Sequence, residues 1–199
     1  MKLENPMRLG GFAAILAGVL LVVSDLLHLY IVNLAGEGAI NRIYLVDGWV
    51  GVLLAVVVQL GLFGVYAPQA KALGIIGVVG LILASIGVQL AMGASFAFPF
   101  SRPNVWPWQT AEYFEEPLPS ILRLGLTFGL GCVVLGVGML RARVYSRAAA
   151  ALFIVGALIL LTPLALNDVI FAVGMAWLGY EIFAGRSEQA LQLLRAQEF

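Results

Sequence analysis

The sequence predicts an all-α integral membrane protein, a bundle of six transmembrane helices with both termini cytoplasmic. Three observations carry that expectation. Mean hydropathy is +1.01. Of 199 residues, 62% are hydrophobic and 11% charged, where an ordinary soluble domain has roughly 25% charged residues. Apolar runs also recur at lengths that suit a bilayer core about 30 Å thick, which takes roughly 20 residues per helix.

The expected spans are 9–33, 45–66, 73–97, 120–140, 148–164 and 167–184, making residues 1–184 one transmembrane domain and 185–199 a short cytoplasmic tail. Span one follows Lys2 and Arg8, as a secretory leader would. No A-x-A-like cleavage site follows, and apolar character resumes after Asp25, so the segment reads as a retained helix. Spans two and three are separated by residues 67–72. Span four ends at "RARVYSR", which opens span five. Between spans five and six only Thr162-Pro163 and Asn167-Asp168 offer a turn, and Pro163 argues for a tight hairpin over one long helix.

Spans one, three and five each run from a basic residue through Gly to Ser or Thr (Arg8/Gly18/Ser24, Lys71/Gly80/Ser85, Arg147/Gly156/Thr162). That is compatible with a triplicated hairpin, and three plus three inverted spans are an alternative. The 23 glycines include Gly74/Gly77/Gly80, Gly125/Gly129 and Gly131/Gly138 at close-packing spacings.

Orientation follows from Lys and Arg, which collect on cytoplasmic loops. Lys2, Arg8, Lys71, Arg141, Arg143, Arg147, Arg186 and Arg195 fall on one side, against Arg42, Arg102 and Arg123 on the other. The first side is therefore expected to be cytoplasmic, in a bacterial cell membrane. Net charge is zero and the pI about 6.6, so no basic face invites nucleic acid. One cysteine, Cys132, excludes an intramolecular disulfide.

Chemistry is sparse. The chain has no phosphate loop, zinc-helix motif or nucleophile elbow, and a single histidine cannot supply bis-histidine haem ligation. Enzymatic activity is disfavoured, and no cofactor is named. Ionisable groups inside apolar spans are costly and point to function. Asp25 and His28 in "SDLLHLY" are such groups, spaced to share a helix face. On the same outer side fall Asp47, Gln89, Arg123, Asn167 and Asp168, with Arg123 expected to turn toward the acids. Over them lies a proline-rich loop, 98–120, whose Trp106 and Trp108 suit a lid or an aromatic belt. Gln59 is expected to make an interhelical hydrogen bond, and Glu181 to reach the interface or Arg186.

The run "LTFGLGCVVLGVGMLRARVYSRAAAALFIVGALILLTP", residues 126–163, resembles the span four to span five hairpin of a bacterial six-span membrane family known only as a domain of unknown function (DUF4386-like). The resemblance implies the six-span architecture and carries no catalytic residues. From the residues, the expected function is non-enzymatic binding of a lipid- or quinone-like molecule in an outward-facing polar pocket formed by Asp25, His28, Asp47, Gln89, Trp106, Trp108, Arg123, Asn167 and Asp168. The alternatives are an accessory or scaffold subunit of a larger membrane complex and a small dimeric transporter. Expected partners are the lipid bilayer, a hydrophobic small molecule, and a membrane protein or a second copy.

Overall fold

A computed structural model describes residues 6–34, 37–97, 120–162 and 167–185, with side chains described for 8–27, 48–96, 125–162 and 168–185. The described chain is helical. The α-helices are α1 (Pro6–Leu34), α2 (Glu37–Tyr66), α3 (Ala70–Ala97), α4 (Ser120–Ala142), α5 (Arg147–Ile159) and α6 (Asn167–Phe183), with a 3-10 turn over Ala67–Gln69. Among the described residues three apolar stretches are long enough to cross a membrane: Arg8–Leu27, Gly48–Phe96 and Gly125–Ala142. The middle one is folded back on itself, because Gln59 on α2 donates to Ser85 Oγ on α3 at 2.9 Å. That is the interhelical bond expected of Gln59.

Boundaries differ from the sequence reading at α2, which starts at Glu37 rather than near 45. Apolar content marks where hydrocarbon would begin, whereas the helical hydrogen-bond ladder runs on through "EGAINRIYLVD" regardless. Between α2 and α3, Pro68 opens the 3-10 turn. Gly74 then takes φ 55 and ψ −148, a region essentially closed to side chains. Gly74 has open space around it, so it serves conformation, not the close packing its spacing suggested.

Each helix packs against its neighbour in sequence, and α6 packs against α1, so the order closes into a ring. Glycine contacts give the directions. Gly10 meets Gly64, Gly80 meets Leu135, Gly136 meets Ile154, Gly156 meets Phe171 and Gly18 meets Ala172. As one residue number rises its partner's falls, so every neighbouring pair is antiparallel. With no hydrophobic effect to drive helices together in lipid, backbone approach at small residues does that work. Leu62, Leu135, Met139, Phe153, Met175 and Leu178 fill the core, while Leu53, Leu60, Ile75, Ile82 and Val155 face outward.

At one end the ring is tied by polar groups from two turns of chain and from α6. Tyr145 donates its hydroxyl to the Val65 carbonyl at 2.6 Å, and Gln69 Nε2 donates to the same oxygen at 3.0 Å. Burial pushes the Tyr145 pKa well up, and the nearby Glu181 carboxylate adds to that, so the hydroxyl keeps its proton. Ser146 caps α5, its Oγ accepting from the Ala149 amide. A capping box would place Glu at that third position to bond the cap's own N–H. Here Ala149 stands there, and buried Glu181 from α6 accepts the Ser146 N–H at 2.9 Å instead. Its carboxylate also complements the positive end of the α5 dipole. Glu181→Ala should therefore lower stability by about 1 kcal/mol, the net worth of the part-buried cap bond it removes, with Glu181→Gln losing less. Thermal unfolding in detergent measures this, and an unchanged midpoint for Glu181→Ala would refute the cap.

Candidate functional site

The opposite end of the ring is hollow. A cavity of about 490 Å³ is lined by Leu21 of α1, one face of α2 from Gly51 to Val58, one face of α3 from Gly87 to Ser95, Gly125 and Phe128 of α4, Leu160 beyond α5, and Asp168 and Phe171 of α6. Residues of α1, α2, α3, α4 and α6 and the end of α5 reach it, so it is a product of the ring rather than of any one pair. Its walls are aliphatic and aromatic. Phe128 and Phe153 both pack on Phe171, with centroids 5.4 and 4.9 Å away, which fixes the aromatic floor. Glycines make room at two places. A side chain at Gly87 would meet Phe128 Cα at 2.5 Å, and one at Gly51 would meet Ser95 Oγ at 2.6 Å.

Polar side chains on the described wall are Ser95 and Asp168. The Asp168 carboxyl hydrogen-bonds that of Asp25 on α1. Helix register explains the meeting: Gly18 sits against Ala172 and Ala176, and two turns further along α1 brings Asp25 beside the first turn of α6. A hydrogen bond between two carboxyl groups needs a proton on one of them, since an ionised carboxylate only accepts. The pair sits at the edge of an apolar chamber, with Asp168 on the cavity wall and Asp25 Oδ2 buried beside it.

The structure thus brings Asp25 and Asp168 together from the expected set. Gln89 is elsewhere: it is exposed on the outer face of α3, while its neighbours Gly87 and Val88 line the cavity. One residue of difference is 100° of helix rotation, which depth along the chain cannot reveal. The side chains of His28, Asp47, Arg123 and Asn167, and residues Trp106 and Trp108, lie outside the described residues. Ser95, Phe128 and Phe171 were not anticipated as lining residues. Apolar and small residues carry no chemical flag in sequence, and only the closed ring gives them a common interior. No group of three or more His, Cys, Asp or Glu able to hold a metal occurs among the described residues.

No family model, curated protein or solved structure matches the chain.

Proposed function

We propose that this is a six-span protein of the cell membrane, with both termini cytoplasmic, that holds a lipid- or quinone-like amphiphile in the ring cavity without transforming it. The spanning arrangement is supported by the alternating antiparallel ring. Helices packed side by side with α1 share its apolar depth, and an even number of passes returns the chain to the side on which it began. Lys and Arg collect at the tied end, which the positive-inside tendency assigns to the cytoplasm. The cavity then opens toward the outer half of the bilayer.

One observation carries the ligand reading: a chamber of about 490 Å³ with apolar walls and a carboxyl pair at its edge. Small-molecule sites have this size, roughly 300–1,000 Å³, and this composition, mostly apolar with a few placed polar groups. The hydrocarbon part of the ligand occupies the space among Val58, Val88, Phe128 and Phe171. Its polar end, a hydroxyl as in a quinol or a lipid headgroup, donates to the Asp25–Asp168 pair.

Native mass spectrometry of detergent-purified protein, with solvent extraction of what it carries, tests this reading. Wild type should retain a non-detergent small molecule, and Ala55→Phe, which pushes a ring into the chamber from α2, should lose it while staying folded. A wild-type protein that carries nothing and is not stabilised by added lipids or quinones would overturn the proposal.

A further inference from the structure

Gln89 was expected at a polar site and is found on an apolar outer face, which raises the question of what satisfies it. Its depth can be read from the packing. Gly51 sits against Ser95 and Gln59 bonds Ser85, so Gln89 lies level with Ala55 to Val57 of α2. Gly61 in turn sits against Ala14, placing that level beside the centre of the Arg8–Leu27 stretch of α1. The amide is thus exposed near mid-depth, and no described hydrogen bond uses it. Elsewhere the outward faces carry Leu16, Val19 and Val23 on α1, Leu53, Val56 and Leu60 on α2, Leu130 and Val137 on α4, and Val155 and Leu158 on α5. A lipid-facing amide is costly at that depth because hydrocarbon offers neither donor nor acceptor.

Around it the α3 face has a definite pattern. Ile75, Val79, Ile82, Ile86, Gln89 and Gly93 are all exposed, and they recur at alternating steps of four and three. That is the seam of a helix that packs along its length on another helix, with β-branched residues in the core and a single polar residue to fix register. Gly93 has nothing within 4 Å, leaving the backbone open to close approach one turn from the amide.

We propose that this face is the interface of a homodimer in which Gln89 of each copy hydrogen-bonds Gln89 of the other. The choice of a second copy follows from chemistry and symmetry. An amide has both donor and acceptor, so it complements itself. Two copies inserted in the same orientation are related by a twofold axis along the membrane normal, which places residue 89 opposite residue 89 at one depth. The seam aligns with itself in the same operation, Ile86 against Ile86 and Gly93 against Gly93. The proposal rests on α3 crossing the bilayer.

Cysteine cross-linking in native membranes, in a Cys132→Ala background, tests it. Mild oxidation should join copies carrying Ile86→Cys or Gly93→Cys and leave Leu130→Cys, on the outer face of α4, unjoined. In proteoliposomes, Gln89→Leu should weaken dimerisation about tenfold, the scale of one interhelical amide bond in lipid, and Gln89→Asn should retain most of it. Equal dimerisation of wild type and Gln89→Leu, or cross-linking at Leu130→Cys as efficient as at Gly93→Cys, would overturn it. So would wild type that stays monomeric at high protein-to-lipid ratio. Resistance of each variant to carbonate extraction is scored alongside, so failure of the spanning reading is distinguished from failure of the dimer.

Discussion

Gly131→Ala should lower the unfolding free energy by about 2 kcal/mol, in the range for overpacking a filled interface, whereas Gly125→Ala on the same helix should cost almost nothing. A methyl group at Gly131 runs into the backbone nitrogen of Ala84, with its Cα 2.7 Å away and no flexible side chain to yield. Accommodating it requires α3 and α4 to separate. The same displacement spreads to Gly80 against Leu135 and Gly87 against Phe128, because these contacts lie on one register between the two helices. At Gly125 there is nothing within 4 Å, since it borders the cavity. Steady thermal unfolding of both variants in one detergent decides the matter; equal midpoints would mean that the α3–α4 contact does not set stability.

That contrast shows what the sequence could and could not convey. Gly125/Gly129 and Gly131/Gly138, at spacings of four and seven, both match helical repeats and look alike as packing motifs. Whether a given glycine faces a partner, as Gly131 does, or a void, as Gly125 does, depends on the rotation of its helix in the ring. The helical class and the existence of the apolar stretches were legible because hydropathy sums over many residues. The α5–α6 hairpin was legible too: α5 ends at Ile159, Thr162 Oγ1 bonds the Ile159 carbonyl at 2.6 Å, and α6 begins at Asn167. Of the expected polar site, Asp25 and Asp168 meet because both lie at one depth and on the α1–α6 interface. Gln89 lies nearer mid-depth than either carboxyl and off that interface. Glu181 was read as an interfacial residue or a partner for Arg186, which lies outside the described residues, and it supplies the missing half of the α5 cap. The hint was there in Ser146 followed by Ala149 where a capping glutamate would stand, but nothing in sequence says which helix supplies the substitute.

Asp25→Ala and Asp168→Ala should each destabilise the protein by about 1–3 kcal/mol, the cost of leaving a buried polar group without its partner, and the double variant should be less destabilised than the sum of the two. The asymmetry is physical. Removing one carboxyl leaves the other in an apolar setting with an acceptor or donor unused, whereas removing both leaves ordinary hydrocarbon at the edge of the chamber. Residues in direct contact deviate from additivity by about 0.5–3 kcal/mol, and independent ones add to within about 0.5 kcal/mol. Four proteins unfolded under the same conditions supply the cycle. Additive losses would mean that the two carboxyls, although adjacent, do not act as a unit. Stability alone does not speak to function, so each variant is also assayed for the molecule retained on purification. If the pair anchors the polar end of a ligand, both single variants and the double variant lose it, and the double variant does so while nearly as stable as the better single. Retention of the ligand by the stable double variant would place the polar anchor elsewhere in the cavity wall, with Ser95 next in line.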